Sequence, residues 1–134
     1  MYTFEQIRSL IERIELPERF DMVVAIANGG IIPAAMVNQR LGVEFHLLKL
    51  SLRDAAQKPM YDAPRLTEEP AFDPRGKRIL LVEDRVKSGA TLAMAKKILL
   101  ERGAAAVRTL AVNGAADYSL LDEPCFRFPW ILNN

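Results

Sequence analysis

A short apolar run that ends in two adjacent acids is the feature that most constrains this 134-residue chain. The run covers residues 79–82 and is bounded by charged residues, which is typical of a strand buried on both faces of a parallel sheet. Apolar residues then recur at helical spacing, at Leu92, Ala95, Ile98 and Leu99. Gly103 follows where a helix of this length would end. The order of strand, loop and helix predicts an α/β fold, in which ligands bind at the carboxyl ends of the strands.

The loop between this strand and this helix has the composition of an anion-binding site. Free N–H groups and the helix dipole favour an anion at the helix N-terminus, where residues 88–91 stand. The acid pair, Glu83 and Asp84, accepts hydrogen bonds and therefore suits sugar hydroxyls or a hydrated Mg²⁺. A ligand with a phosphate at one end and a ribose diol nearby fits both halves. The alternative is a strand, a loop and a helix cap without a ligand, but the acids, hydroxyls and glycine together exceed what capping needs.

Length, charge and cysteine content limit the class of protein. A chain with 50% hydrophobic residues and this length is expected to form one domain, residues 1–134. A formal net charge of +1 gives no overall field that would draw the chain to nucleic acid or to a membrane. The single cysteine, Cys125, cannot form an internal disulfide, which fits a reducing cytosol. No apolar run approaches membrane length and no secretory signal pattern opens the chain, so we expect a cytoplasmic protein.

The rest of the chain continues the alternation of helices and strands. The first helix is expected to begin at a capping box formed by Thr3 and Gln6 and to end at Pro17. Its apolar face contains Phe4, Ile7, Leu10, Ile11 and Ile14. A second helix is expected from Ile31 to Leu41, with Pro33 in its first turn. The other strands are predicted at residues 22–27, 43–50 and 107–112.

Residues Asn28, Gly29 and Gly30 connect the first predicted strand to the second helix. Two glycines at such a turn allow unusual backbone angles and a close approach to a ligand. The glycine pair alone is a weak signal, since an ordinary tight turn explains it in isolation. Its expected position at the same sheet edge as the acid pair favours the ligand-binding interpretation.

Two further segments leave alternatives open. The polar segment 51–76 is long for a connection, and connections of this length are usually lids or disordered segments. Its last residues, 73–76, predict a turn. The only histidine, His46, lies inside a predicted strand and is interpreted as a packed or edge side chain rather than a catalyst. The aromatic tail around Phe128 and Trp130 fits edge packing and a flat surface for a nucleobase equally well.

The motif Leu-Leu-Val-Glu-Asp-Arg-Val-Lys-Ser-Gly-Ala-Thr, residues 80–91, resembles the phosphoribosyl-pyrophosphate (PRPP) signature of the type I phosphoribosyltransferases. The segment Ala-Asn-Gly-Gly-Ile-Ile-Pro-Ala, residues 27–34, is similar to the pyrophosphate loop of the purine enzymes of that family. The Phe-Pro-Trp tail is similar to the ending of its xanthine-, guanine- and hypoxanthine-type members. The resemblance implies a twisted, mostly parallel sheet with helices on both faces, a small C-terminal hood and a mobile loop within segment 51–76.

The resemblance also assigns roles to individual residues. It implies that Glu83 and Asp84 hold the ribose hydroxyls and that these two acids and Lys87 are the catalytic residues. The 5′-phosphate would be bound by Lys87, Ser88, Gly89, Ala90 and Thr91. The diphosphate would be bound by Asn28, Gly29 and Gly30. The nucleobase would be bound by Asn113, Phe128 and Trp130.

The implied activity is transfer of ribose 5-phosphate from PRPP to a nucleobase, with a purine expected and diphosphate released, as in purine salvage. Mg²⁺ is the implied cofactor; the substrate would hold it, with Glu83 and Asp84 as the candidate protein ligands. A homodimer is also implied, because homodimers are common in the family.

Three positions depart from the family pattern. Asn28 stands where Arg is common, Lys87 stands where Asp is frequent, and Asn113 stands where a Lys usually reads a purine oxygen. These departures keep open an alternative function, a non-catalytic regulatory module that binds PRPP or a nucleotide on the same fold. A doubly wound domain with an unrelated ligand is a third interpretation. The chain contains neither a P-loop nor a Gly-x-Gly-x-x-Gly fingerprint.

Overall fold

The computed structural model describes residues 2–51, 65–124 and 126–132. The helices in these ranges are α1 (Phe4–Arg13), α2 (Ile31–Leu41) and α3 (Ala90–Glu101). The strands are β1 (Met22–Ala27), β2 (Glu44–Ser51), β3 (Arg65–Leu66), β4 (Arg78–Arg85), β5 (Ala106–Asn113) and β6 (Tyr118–Leu121). They form one sheet in the order β3-β2-β1-β4-β5-β6. The five long strands are parallel, and only the short β3 pairs antiparallel, with β2.

Helices cover both faces of this sheet. On one face α1 and α2 pack on alternate residues of the central strands, including Val23, Ala25, Leu80 and Val82. On the other face α3 packs on the residues between them, including Met22, Val24, Ile79 and Leu81. Both central strands, β1 and β4, are therefore buried from both sides, which is why they consist of continuous apolar runs. The predicted mostly parallel sheet with helices on both faces is confirmed.

The capping box of α1 is confirmed, but the helix ends earlier than expected. The Gln6 N–H donates to Thr3 Oγ1 at 3.1 Å, and the Thr3 N–H donates to Gln6 Oε1 at 2.8 Å. The helix stops at Arg13, and Ile14 is extended, so Pro17 does not end it. Instead the Arg40 guanidinium of α2 donates at 2.7 Å to the carbonyls of both Ile11 and Ile14. A side chain from another helix thus satisfies the carbonyls at this end.

The end of α3 agrees with the prediction from Gly103. The Gly103 N–H donates to the carbonyl of Leu100 at 3.0 Å, and the Ala104 N–H donates to that of Leu99 at 3.1 Å. This pair of bonds is the Schellman arrangement that commonly closes helices with glycine. The chain then enters β5, which pairs with β4 along most of its length.

The sequence pattern did not predict β3 and β6. Strand β6 is unusual because it runs parallel to β5 although only residues 114–117 connect them, whereas parallel pairs normally need a crossover of about a dozen residues or more. The Asp117 carboxylate accepts hydrogen bonds from the N–H and the hydroxyl of Thr109, at 2.9 and 3.1 Å. The Asp117 N–H donates to Thr109 Oγ1 at 3.0 Å. These bonds hold the short return beside β5.

The region beyond β2 is described only in part. Half of segment 51–76, in which the lid is predicted, consists of residues 52–64, which lie outside the described residues. The turn at residues 73–76 is confirmed, with the Lys77 N–H donating to the Pro74 carbonyl at 3.1 Å. The His46 ring stacks on Phe72 with 4.7 Å between centroids, as a packed side chain does. None of the helices in the described ranges combines the length and apolar character that crossing a bilayer requires.

Candidate active site

The loops after β1 and β4 meet at the carboxyl edge of the sheet, because these two parallel strands are neighbours. A Cβ atom on Gly29 would overlap the Asp84 carboxylate, with its Cγ only 2.6 Å away. A Cβ atom on Gly30 would lie 2.7 Å from the Ile26 carbonyl oxygen. Backbone packing therefore requires glycine at position 30, whereas a side chain at position 29 would fit only if the Asp84 carboxylate moved. The acid pair and the glycine turn, which the sequence predicted at one edge, are in direct contact.

The two acids lie in the last residues of β4 and are partly buried. Glu83 Oε1 accepts a hydrogen bond from the Asp84 N–H at 3.0 Å, and Asp84 Oδ1 accepts one from the Arg85 N–H at 2.6 Å. Burial, together with the neighbouring Asp84 charge, raises the pKa of Glu83 to about 8. Near neutral pH the Glu83 side chain is therefore mostly a protonated carboxyl group. The acid pair accepts hydrogen bonds from neighbouring hydroxyl groups and can also donate a hydrogen bond to them.

The loop between β4 and α3 surrounds a cavity of about 220 Å³. Its lining consists of Glu83, Arg85 and residues 86–92. The lining therefore includes all five predicted phosphate-binding residues, 87–91. Gly89 has a φ of 84°, a left-handed conformation that favours glycine, and it begins α3 without a capping side chain. The Ser88 hydroxyl accepts the Ala90 N–H at 3.2 Å. No acidic residue stands in the first turn of α3, so the positive end of the helix dipole is available to an anion.

The N-terminus of α2 has the same character. Gly30 is its N-cap and provides no side-chain cap, and no acid stands in its first turn. The Gly30 N–H donates to the Ile26 carbonyl at 2.8 Å, and the Ile31 N–H donates to that of Asn28 at 3.1 Å. The peptide bond between Ala27 and Asn28 is cis. Two helix N-termini without acidic residues therefore flank the Glu83–Asp84 pair.

Asn113 is buried, with 4% of its surface exposed, and its amide contacts the tail. Its Nδ2 donates to the Glu123 carbonyl at 3.0 Å, and its Oδ1 accepts the Glu123 N–H at 2.8 Å. The amide thus connects the end of β5 to the C-terminal segment. Base binding by Asn113 stays a prediction, and these contacts give it no support.

The aromatic side chains of the tail pack on one another. The Phe128 ring is only 5% exposed and stacks on Trp130 with 4.9 Å between centroids. Phe126 meets the edge of Phe128 at 4.6 Å, and Trp130 lies 6.1 Å from the ring of Phe4 in α1. Trp130 Nε1 is buried and has no hydrogen-bond partner among the described residues. The contacts of Trp130 are those of a packed side chain, whereas Phe128 also lines a cavity.

Sequence reasoning missed Arg85, which joins β4 to the tail. Its Nη2 donates to the Phe126 carbonyl at 2.6 Å, and its guanidinium carbon lies 5.7 Å from the centre of the Phe128 ring. The only sequence signal was a cation directly after the acid pair; its partner lies 41 residues away. Arg85 also lines a second cavity, of about 440 Å³, formed with Asp84, Lys87, residues 126–128 and Ile131.

Metal-binding capacity in the described part of the chain is small. No group of three or more His, Cys, Asp or Glu side chains that could hold a metal ion occurs there. The Glu83–Asp84 pair offers oxygen ligands, but fewer than a Mg²⁺ site made by protein alone would need. This donor set suits a metal ion that arrives with most of its ligands supplied by a substrate and water.

The chain belongs to the family described as phosphoribosyl transferase domain, whose model matches residues 3–131. This match covers both loops and the tail.

Curated relatives match about two thirds of the chain. It is 30% identical over 93 residues to an orotate phosphoribosyltransferase from Sulfurisphaera tokodaii, covering 69% of this chain and 43% of that protein. It is 29% identical over 94 residues to a ribose-phosphate pyrophosphokinase from Thermoplasma volcanium, covering 70% and 30%. It is 29% identical over 80 residues to a xanthine-guanine phosphoribosyltransferase from Gluconobacter oxydans, covering 60% and 48%. The chain therefore spans less than half the length of each of these relatives.

Among solved structures, a purine phosphoribosyltransferase from Pyrococcus horikoshii superposes with a TM-score of 0.79. The match covers 96% of this chain and 91% of that one, at 23% sequence identity. It shows that the two proteins share the type I phosphoribosyltransferase fold.

Proposed function

We propose that this protein transfers the 5-phosphoribosyl group of PRPP to a nitrogen of a nucleobase, a purine, and releases diphosphate. One observation carries the proposal: the Glu83–Asp84 pair lies between two helix N-termini that have no acidic residue in their first turns. PRPP has an anionic group at each end and a diol between them. This arrangement matches that distribution of charge and hydroxyl groups.

Each part of PRPP has a proposed site. The 5′-phosphate binds in the cavity of residues 87–91, where backbone N–H groups, hydroxyls and Lys87 are donors. The diphosphate binds at Asn28, Gly29 and Gly30, at the start of α2. The ribose hydroxyls bind Glu83 and Asp84, since Asp84 touches Gly29 and therefore lies between the two anion sites.

The reaction breaks the bond between C1′ and the diphosphate oxygen, whose electron pair leaves with diphosphate. The base nitrogen supplies the electron pair for the new bond to C1′. The protein contributes by holding both reactants in position and by stabilising the positive charge that develops on the ribose. Mg²⁺, held by the substrate with Glu83 and Asp84 as candidate ligands, would neutralise charge on the departing diphosphate.

The matched relatives support this chemistry at different levels. Two relatives are named as phosphoribosyltransferases, one for orotate and one for xanthine and guanine. The superposed Pyrococcus protein is named a purine phosphoribosyltransferase. The pyrophosphokinase relative suggests a second reaction to test. We also propose that residues 1–134 form one domain, which acts as a homodimer in the cytoplasm.

An alternative function is a regulatory module that binds PRPP or a nucleotide without turnover. The contacts of Asn113 favour this alternative, because its amide bonds Glu123 where a base-reading donor was expected. The same loops would bind PRPP in both functions, so a measurement of turnover is needed to distinguish the enzyme from the regulatory module.

The test is to incubate the protein with Mg²⁺ and PRPP, separately with guanine, xanthine, hypoxanthine and adenine. Nucleotide formation and diphosphate release are measured together. We expect equal amounts of both products with at least one base. We expect no PRPP from ribose 5-phosphate and ATP, the reaction that a pyrophosphokinase would catalyse.

The controls are two variants. Replacing Glu83 and Asp84 together with Ala should lower turnover by about a hundredfold or more and weaken PRPP binding. Asp122→Ala, which removes an exposed carboxylate outside both loops, should leave turnover unchanged. PRPP binding without turnover of any base would favour the regulatory module. Unchanged PRPP binding in the double variant would show that the ribose assignment is wrong.

A further inference from the structure

The second cavity is rich in positive charge. Arg85, Lys87 and Arg127 line it, and Asp84 is the single acid among its lining residues. Part of its wall is apolar, from the Phe126 and Phe128 rings and Ile131. A cavity of about 440 Å³ with this lining suits a flat heterocycle of complementary charge.

Within the described part of the chain, the cations of this cavity outnumber its acids. Among the described residues, neither Lys87 nor Arg127 forms an ion pair with a carboxylate. Arg85 donates one N–H to the Phe126 carbonyl, which carries no net charge. The Asp84 carboxylate lies against Gly29 and accepts a hydrogen bond from the backbone N–H of Arg85. As far as the described residues go, the lining of this cavity therefore has an excess of positive charge.

Its position relates the cavity to the proposed reaction. It shares Arg85 and Lys87 with the cavity of the phosphate loop, and it borders Asp84, the proposed ribose-binding acid. A base bonded to C1′ of that ribose would extend into the second cavity. The charge of this cavity then acts on the acceptor base.

We infer that the acceptor base carries a negative charge when it binds, as an ionised oxopurine such as xanthine does. This inference rests on the proposed function. Lys87 has the 5′-phosphate of PRPP as a partner, but a neutral base would cover Arg85 and Arg127 without giving them a charged partner, which disfavours neutral competitors. An anionic base would form charge-assisted hydrogen bonds with them.

The same inference accounts for Lys87. A neutral purine must lose a ring proton when its nitrogen bonds C1′, and a nearby carboxylate would accept that proton. An oxopurine such as xanthine ionises first on its six-membered ring and keeps one imidazole proton. Its other imidazole nitrogen gives an electron pair to C1′, and the diphosphate oxygen takes the pair of the broken bond. Diphosphate or water accepts the remaining imidazole proton, so the site needs no carboxylate for it, and a lysine beside the base stabilises the bound anion.

The test compares kcat/KM for xanthine, orotate, hypoxanthine and guanine between about pH 6 and 9. We expect xanthine to be preferred over hypoxanthine and its kcat/KM to rise with pH as it ionises. Orotate carries its charge on a carboxylate throughout this range, so a preference for orotate would support a general anion site instead of one for ionised purines. Preference for hypoxanthine or guanine would overturn the inference and leave the proposed function standing.

Charge-removing variants separate the base site from PRPP binding. Arg127→Gln should lower kcat/KM for xanthine about tenfold and change that for hypoxanthine by less than about twofold. Lys97→Gln, which removes an exposed cation on α3, should change neither. An increase in the KM for PRPP with every base would show that Arg127 serves the phosphates, and the inference would be wrong.

A binding measurement does not need turnover, so it tests this inference even if the proposed function is wrong. Xanthine and hypoxanthine are titrated separately into the protein with Mg²⁺ and PRPP by calorimetry at a pH where xanthine is ionised. Tighter binding of xanthine, weakened in Arg127→Gln, supports the anionic site even if no nucleotide forms. Equal binding, or binding of neither base, overturns it.

Discussion

At the scale of single residues, the site depends on contacts that leave no room for ordinary side chains. Gly29 lies against the Asp84 carboxylate, so the glycine turn and the acid pair form one packed unit. Glu83 shows an electrostatic effect in the same site, because burial and the neighbouring Asp84 charge raise its pKa to about 8. The first effect comes from bringing the loops of two adjacent strands into contact, whereas the second comes from burial of Glu83 and from the charge of its neighbour in the same strand.

Gly29→Ala should disrupt the site, because its Cβ would force the Asp84 carboxylate to move. We expect a loss of about 1–3 kcal/mol in the free energy of unfolding and a PRPP affinity at least about tenfold weaker, measured by urea denaturation and calorimetry. Gly42→Ala is the control for PRPP affinity: its φ of 63° also strains an alanine, but a Cβ there meets no atom within 4 Å and the position lies outside both loops. Equal PRPP binding in Gly29→Ala and the parent would contradict the proposed contact.

Glu83→Gln should change the pH dependence of stability. Since the folded-state pKa is about 8 and the ordinary value is 4.5, the folded state binds more protons between these values, and the parent loses stability as pH rises through them. We expect this loss, relative to Glu83→Gln, to be on the order of 3 kcal/mol between pH 5 and 8. Denaturation at several pH values measures it, with Glu12→Gln as an exposed control. Parallel stability curves for parent and Glu83→Gln would refute the raised pKa.

At the scale of secondary-structure elements, helix ends are set by neighbours as much as by local sequence. The start of α1 follows from Thr3 and Gln6 alone. Its end depends on Arg40, whose guanidinium reaches two of its carbonyls from α2. An element boundary of this kind cannot be read from a local pattern, because the donor lies 26 to 29 residues away.

Arg40→Met should therefore destabilise the contact between α1 and α2. Loss of two charge-assisted hydrogen bonds is expected to cost about 1–2 kcal/mol in the free energy of unfolding, measured by denaturation. The last turn of α1 should also exchange its amide hydrogens faster. Gln39→Met, at an exposed position of the same helix, is the control and should cost less than about 0.5 kcal/mol. Unchanged exchange at residues 11–14 would show that Arg40 does not hold this end.

At the scale of the whole molecule, the C-terminal segment completes the second cavity from outside the sheet. Arg85 holds it through the Phe126 carbonyl, and Asn113 holds it through both backbone groups of Glu123. These contacts link the acid pair of β4, the end of β5 and the aromatic tail. The shape of the proposed base site thus depends on long-range hydrogen bonds.

Asn113→Ala should loosen the tail without removing the phosphate loop. We expect a loss of about 1–2 kcal/mol in the free energy of unfolding, because two part-buried hydrogen bonds to the Glu123 backbone are lost. Amides of residues 126–132 should exchange faster, while PRPP affinity changes by less than about threefold. Hydrogen exchange and calorimetry measure the two effects. A large loss of PRPP affinity with normal exchange in the tail would assign Asn113 to the ligand instead.

Much of this architecture follows from local patterns. The apolar runs at residues 22–27 and 79–82 predicted the central strands, since strands buried on both faces need continuous apolar sequence. The capping box, Gly103 and the Ser88–Thr91 loop predicted helix ends and an anion site for equally local reasons. Strand β6 was missed because its pairing depends on the Thr109–Asp117 hydrogen bonds rather than on a crossover.

The amino-acid sequence by itself determined the fold class, the two loops at the sheet edge and the acids and hydroxyls that they carry. These features follow from periodicity, glycine placement and charge within short windows of the chain. Only the tertiary structure decided that Gly29 touches Asp84, that Arg85 and Asn113 hold the tail, and that three cations share one cavity. The reason is physical: packing and hydrogen bonds between distant segments set these positions, and no local pattern encodes them.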